Sequence, residues 1–309
     1  MKVTLIHNPV AGHIEQPDAQ ALQQLIRQAG HSVNYHPSDE IDWTALHSSG
    51  CDLVAVAGGD GTAGQIAKRL VDRGIPMTFI PMGTANNISK TFGLSEYGLE
   101  QLIGEWSSAR SHWIDVGVID APWGSHYFIE GVGMGLFVRT MMEIDSRQLL
   151  GHLETPEEKI IHALRILSDR LRSFPARQLN LTLDGKDLSG EYLLLEVMNI
   201  RFVGPNMYIA PTSDPTDGML DVVLVTERER NELHKYLASW RQGVMSAPAF
   251  ATHQGSHLQL DWDGSALHVD DLAWPPEELK RPVGPARIDI RAKRRALEVR
   301  VPVTSRLHR

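Results

Sequence analysis

Cysteine is nearly missing from this sequence: Cys51 is the single one among 309 residues. That excludes an internal disulfide and suits a reducing compartment. Its place at the mouth of the apolar run Asp52–Ala57 marks it as a core residue. Long hydrophobic runs are missing too. No stretch approaches the roughly 18 apolar residues that a spanning helix needs. At the start, Val3–Ile6 gives way to His7-Asn8-Pro9, which is not the pattern of a signal peptide. Positive charge is in short supply, with 30 Lys and Arg against 38 Asp and Glu, a net charge of -8. Nucleic-acid binders carry a basic footprint, so that class of partner is set aside. The one basic concentration, Arg291, Lys293, Arg294, Arg295, Arg300, Arg306 and Arg309, reads as a solvated face or as contact with an anionic membrane surface. These features together suit a cytoplasmic protein, peripheral at the inner membrane face if it visits a bilayer at all.

Several reaction classes fall for want of their signatures. G-x-x-x-x-G-K-[ST], H-E-x-x-H and G-x-S-x-G are all absent, and the 14 histidines are scattered and read mostly as surface. Composition is otherwise that of a folded protein, 42% hydrophobic and 22% charged. The length allows two domains.

What is present alternates strand and helix in the first third. Lys2–His7, His31–His36, Asp52–Ala57 and Met77–Pro81 read as buried strands. Gln16–Ala29 reads as a helix, and a second runs from Ala63 to about Arg73 with Ile66, Ala67, Leu70 and Val71 on one face. This pattern predicts a parallel sheet covered by helices on both faces. Beyond about Asp115 the period changes to two. Strands are expected at Asp115–Asp120, His126–Gly133, Leu179–Gly185, Tyr192–Asn199, Leu220–Val225, His257–Trp262, Ala286–Ala292 and Leu297–Val301. The expected fold is α/β: an N-terminal parallel-sheet α/β domain, residues 1–115, then a mainly antiparallel β-sandwich domain, residues 116–309. The active site is expected in the cleft between them, and the C-terminal end is free to pack back on the first domain. Within Glu157–Phe174 the residues Ile160, Leu164, Leu167, Leu171 and Phe174 form one apolar stripe. It either packs on the sandwich, or touches lipid or lines an acyl cavity.

Residues Gly59 to Gly64 spell G-x-G-x-x-G. A dinucleotide fingerprint should open the first βαβ unit and be followed, about 20 residues on, by an acidic residue for the ribose. Here it follows the third strand, and Gly74–Ser95 contains no Asp or Glu. That region holds instead a second Gly-Thr turn, in "FIPMGTANN", at the end of the next strand. Asn8 and Gly12, after the first strand, lie at the same sheet edge. Such turns expose backbone N–H groups, and a helix N-terminus beside them favours an anion. Thr62 suits an N-cap or a phosphate donor. The three loops suggest a polyphosphate.

"NPVAG", "GGDGT" and "PMGTANN", in that order and spacing, resemble the diacylglycerol kinase catalytic-domain family. That family includes bacterial lipid kinases and the sphingosine kinases, with NAD kinases as distant relatives. The resemblance continues through "FIEGVGMG", "MNIRFVGPNMYIAPTSDPTDGMLDVVLV" and "LHVDD", nearly the whole chain. It implies ATP- and Mg2+-dependent transfer of the γ-phosphate to the hydroxyl of a lipid, diacylglycerol or similar. The nucleotide would lie on Asn8, Gly58, Gly59, Asp60, Gly61, Thr62, Gly83, Thr84 and Asn86, with Asp60 facing the metal or its waters. Asp214, Asp217 and the Met219 carbonyl are a hard-oxygen set for Mg2+ or Ca2+, by analogy a metal site that stabilises the second domain. The family's D-G-E turn, which supplies the general base, reads Asp270-Asp271-Leu272 here, so Asp270 alone survives, and an extra Trp274–Gly284 follows. His36–Ser38 occupies the region of a further family Thr, Ala63-Gly64-Gln65 replaces the frequent Asn-Glu after GGDGT, and Asn87 stands where many relatives have Asp. The implied partners are a lipid substrate, ATP and a transient membrane surface. Oligomeric state is open, a homodimer included. The competing readings are a degenerate nucleotide- or lipid-binding protein and an NAD kinase-like enzyme.

Overall fold

The computed structural model describes residues 1–11, 16–41, 43, 46, 50–245, 247–275 and 284–305. The chain divides into two compact units. One runs from Met1 to Ile114 and takes in the chain from Arg295 onward; the other is Asp115–Arg294.

The first unit contains β1 (Lys2–His7), α1 (Ala19–Gln28), β2 (Ser32–Pro37), β3 (Leu53–Gly58), α2 (Asp60–Leu70), β4 (Met77–Pro81), α3 (Asn87–Thr91) and α4 (Leu99–Gly104). β1 lies between β2 and β3, β4 flanks β3, and all these pairs are parallel. All six residues of β3 are buried, as befits a parallel strand covered on both faces. Leu22 and Ile26 of α1 pack with Val3, Leu5, Leu53 and Ala55 on one side. The order of strands reverses between β1 and β3. Loops leaving their carboxyl ends therefore diverge, which is where open α/β sheets hold ligands.

Three details differ from expectation. Helix α1 starts at Ala19 because the Asp18 side chain caps it, accepting from the Ala21 amide. Helix α2 starts at Asp60, three residues early, so its N-cap is Gly59 and not Thr62. Cys51 is half-buried rather than a core residue.

The second unit begins within β5 (Arg110–Ala121) and continues through β6 (Gly124–Phe128), β7 (Gly131–Gly135), α5 (Leu136–Ser146), α6 (Pro156–Leu171), β8 (Arg177–Leu183), β9 (Lys186–Asp187), β10 (Gly190–Met198), β11 (Phe202–Val203) and β12 (Met207–Tyr208). Next come β13 (Leu220–Thr226), α7 (Arg230–Arg241), β14 (Thr252–Gly255), β15 (His257–Trp262), β16 (Leu267–Val269), β17 (Leu272–Trp274) and β18 (Ala286–Val301). One antiparallel sheet runs β14-β13-β10-β7-β16-β17. The other contains β9-β8-β15-β18 and the β5–β6 hairpin. Alternate residues of β15, Leu258, Leu260 and Trp262, meet Val197, Val222 and Val132 in the core between the sheets.

The stripe on α6 packs on the opposite face of the first sheet. Leu164, Leu167 and Leu171 join Leu193, Val223, Val225 and Leu237 in one cluster. The helix opens with a capping box between Thr155 and Glu158. Residues 126–133 form two strands rather than one, because Ile129 and Glu130 make a turn. Residues 286–301 form one strand rather than two, bent where Arg295 takes a positive φ of 51°. Its last part belongs to the first unit, where Val299 pairs in parallel with Met77 of β4.

Candidate functional site

The first unit carries a cradle made from the ends of β1, β3 and β4. Gly59 and Gly83 touch backbone to backbone: a Cβ on Gly83 would lie 2.4 Å from the Gly59 Cα. No other residue type permits that approach. It presses the two Gly-Thr turns together at the start of α2. The amides of Asp60, Gly61 and Thr62 in the first turn of that helix have no carbonyl partner within it, which leaves them for an anion.

Asn8 ties β1 into the cradle. Its Nδ2 donates to Thr62 Oγ1 at 2.9 Å and its Oδ1 accepts from the Val10 amide at 3.1 Å. Because Thr62 accepts there, its hydroxyl hydrogen stays available to a phosphate oxygen. Asn86 shapes the loop rather than reaching outward. Oδ1 accepts from Gly83 N at 2.8 Å, Nδ2 donates to Gly83 O at 2.9 Å, and φ is 55°. The Gly83 amide is thereby consumed. Thr84 is half-buried in the same turn. Gly58 has no space for a side chain, since a Cβ would meet Thr62 Cβ at 2.9 Å. Gly12 and the segment 276–283 lie outside the described residues, as do Arg306 and Arg309.

Asp60 Oδ1 accepts from the Ile88 amide at 3.0 Å, across from α2 to α3. Burial pushes its carboxyl up from the usual range, against the amides and Lys90 that favour the charged form. Lys90 donates from Nζ to the Ala85 carbonyl at 2.7 Å, and burial lowers its ammonium while Asp60 opposes that. Lys90 was not singled out from sequence. It adds a cation to a loop cluster whose backbone already favours anions.

The second unit carries two turns joined by one asparagine. In the first, Asp214 Oδ1 accepts from the amide and hydroxyl of Thr216 at 2.9 and 2.7 Å, and Asp217 Oδ1 accepts from Met219 N at 2.8 Å. Asp115 on β5, fully buried, accepts from Gly218 N at 2.5 Å. Asp217 reaches solvent, yet partial burial and the repulsion of Asp214 and Asp115 push its carboxyl up. Asp115, Asp214 and Asp217 concentrate negative charge around one turn, and each carboxylate accepts from a protein donor. Asp115 is the member that sequence reading missed. Among the described residues, no group of three or more His, Cys, Asp or Glu side chains could hold a metal ion.

Asn199 donates to the carbonyls of Asp115 and Ile129, at 3.2 and 3.0 Å, and so links this turn to the next. Val269 pairs with Leu272, which leaves Asp270-Asp271 as the tip of the β16–β17 hairpin. Asp270 adopts a φ of 53°. Its Oδ1 accepts from the amides of Ile129, Glu130 and Gly131 at 3.0, 2.8 and 3.3 Å, and Oδ2 accepts from the Ile129 amide at 3.2 Å. The carboxylate is thus seated on the β6–β7 turn. Leu272, where the family has Glu, is 54% exposed.

Behind Asp270 are buried charges that the sequence did not reveal. His268, read as surface, is buried, and its Nε2 lies 2.8 Å from Glu196 Oε2. Burial raises Glu196, while Glu196 and the Asp270 carbonyl hold His268 above its ordinary value despite its own burial. Beside the hairpin is a cavity of about 1040 Å³ lined by Arg139, Met142, Asp145, Arg170, Phe174 and Trp274, among others. Burial, with Asp271 nearby, pushes the Asp145 carboxyl up.

An α/β unit with a glycine-built anion cradle, followed by a β-sandwich that carries a seated aspartate, defines a phosphotransferase architecture rather than a dehydrogenase. Comparison with known proteins agrees. Residues 2–119 match the diacylglycerol kinase catalytic domain, and residues 143–290 match the YegS C-terminal NAD kinase beta sandwich-like domain. A diacylglycerol kinase of Mycobacterium tuberculosis is 26% identical over 294 residues, 90% of this chain and 91% of that one. One from Bacillus subtilis is 26% identical over 234 residues, 72% and 73% of the two chains. The fold matches the crystal structure of a diacylglycerol kinase from Bacillus anthracis with a TM-score of 0.69 at 18% identity, covering 98% of this chain and 97% of that one. Its matched domains and its named relatives are those of diacylglycerol kinases and related lipid kinases. No described helix is long and apolar enough to cross a membrane.

Proposed function

We propose that this protein transfers the γ-phosphate of ATP, taken as its Mg2+ complex, to the hydroxyl of a lipid of the diacylglycerol type. The observation that carries the nucleotide half is the Gly59–Gly83 contact, which presses two donor-rich turns against the start of α2. The first-turn amides and the Thr62 hydroxyl would hold phosphate oxygens, with Lys90 offsetting part of their charge. Bound Mg2+ would neutralise the charge on the transferring group. Asp270 would accept the lipid hydroxyl's proton on its carboxylate as the hydroxyl oxygen bonds to phosphorus and ADP leaves. The cavity beside the hairpin, with Phe174, Met142 and Trp274 among its walls, would suit an apolar acceptor whose polar end lies toward arginines. Such an acceptor resides in a bilayer, so the protein would meet its substrate at a membrane surface. The turn at Asp214, Asp217 and the Met219 carbonyl would hold Mg2+ or Ca2+ in a structural role.

Purified protein, γ-labelled ATP, Mg2+ and a mixed bacterial lipid extract test this directly: a labelled lipid is expected. ATP binding without any labelled lipid would instead establish a degenerate binding protein. The observation that favours that second reading is the seating of Asp270 on backbone amides beside an exposed Leu272. A thermal-shift comparison of ATP–Mg2+ with NAD separates both from an NAD kinase-like enzyme.

A further inference from the structure

Glu196 on β10 and His268 on β16 belong to strands that are not neighbours. Both are in register with Gly133 on the strand between them, β7. Their side chains meet over that glycine. A Cβ on Gly133 would lie 2.1 Å from Glu196 Oε1. The side chains are 0% and 4% exposed. Taking two charges out of water is costly, and an apolar pair of similar volume often serves stability as well. The arrangement therefore calls for something that only this geometry supplies.

That something is the second ring nitrogen of His268. Nδ1 lies 2.9 Å from the backbone carbonyl oxygen of Asp270. Imidazolium donates at both nitrogens, to the Glu196 carboxylate on one side and the Asp270 carbonyl on the other. Asp270 has a left-handed φ of 53°, a conformation unfavourable for a non-glycine residue. Its amide donates to Gly131 O at 2.8 Å and its carboxylate accepts from the 129–131 amides. His268 fixes the remaining polar group of the residue. We propose that Glu196 and His268 are positioning residues, a buried pair that holds the Asp270 turn where its carboxylate can take the acceptor's proton. This rests on the reading of Asp270 as general base.

Two substitutions split the ring's functions. In His268→Asn the amide nitrogen can still reach the Asp270 carbonyl; in His268→Gln it reaches toward Glu196 and leaves that carbonyl unbound. His268→Gln is expected to lower kcat about 100-fold, with KM for ATP and lipid within about twofold. His268→Asn is expected to recover about tenfold of that loss, although the two variants lose similar stability to urea. Equal kcat in the two, or kcat unchanged from wild type, would overturn the proposal. Hydrogen exchange at the amides of Ile129, Glu130 and Gly131 gives a readout independent of turnover, and it should be faster in His268→Gln. Unchanged exchange overturns the positioning inference alone. A wild-type kcat in Asp270→Asn overturns the base reading, and the catalytic part of this inference with it.

Discussion

The cradle of the first unit is made of backbone, whereas the Asp270 turn of the second is made of buried side-chain charge. Gly58, Gly59 and Gly83 act by lacking atoms, and Asn8 and Asn86 hold loops in shape. Asp270, Glu196 and His268 act by placing ionisable groups on β10, β16 and the β6–β7 turn. The glycine contacts of the cradle tolerate no added atom and carry no ionisable group of their own. A site of buried charge is sensitive to both geometry and protonation. Substitutions in the two should therefore fail in different ways.

The largest effect is expected from Gly83→Ala. Its methyl would sit 2.4 Å from the Gly59 Cα, against backbone that cannot yield cheaply. ATP affinity by calorimetry should fall on the order of 100-fold, equivalent to about 2.7 kcal/mol. A loss under threefold would show that the two turns can separate without harm. The counterpart in the second unit is Gly133→Ala, which drives a methyl into Glu196 and disrupts a buried ion pair. It should cost about 3 kcal/mol in urea unfolding while ATP binding persists. Loss of ATP binding there would blur the division between the two sites.

A pH series probes the charge itself. Both Glu196 and His268 are raised in the folded state. A raised histidine contributes stability that is full below its unfolded value of 6.5 and is lost as pH rises through the folded value. Raised Glu196 acts in the same direction from 4.5 upward. The other charged group facing the pair is Asp270. Wild-type stability should therefore decline as pH rises above 6.5 more than that of the double variant Glu196→Gln, His268→Gln. Parallel curves would mean that the pair does not titrate in that window. A smaller effect is expected from Asn86→Ala, which removes both side-chain bonds to Gly83 and should cost about 1–2 kcal/mol by urea titration. A larger fall in ATP affinity than in stability would give Asn86 a direct role at the ligand.

The difference between the two regions also explains what the sequence disclosed. Strands β1, β3 and β4 and the Gly-Thr turns are contiguous in the chain, so their order alone carried the polyphosphate reading. The missing acidic residue in Gly74–Ser95 was enough to set aside the dinucleotide alternative. Thr62 was misplaced as a cap because Gly59, free of a side chain, lets α2 start earlier. Lys90 carried no motif, since its place depends on Asp60 facing α3. His268 was legible only as one more histidine. Its partners are Glu196, 72 positions away, and a backbone carbonyl, and neither leaves a local pattern. Asp115 is hidden in the same way, 103 residues from the glycine amide it holds. The stripe on α6 was clear: Leu164, Leu167 and Leu171 pack on the sheet, while Phe174 beyond the helix lines the cavity.

The most direct test measures transfer of label from γ-labelled ATP to lipid by wild type and Asp270→Asn, with ATP affinity determined in parallel. The expected result is a labelled lipid with wild type, a fall in kcat of at least about 100-fold in the variant, and equal ATP affinity in both. Wild-type turnover in Asp270→Asn, or a wild type that binds ATP and never labels a lipid, would contradict it.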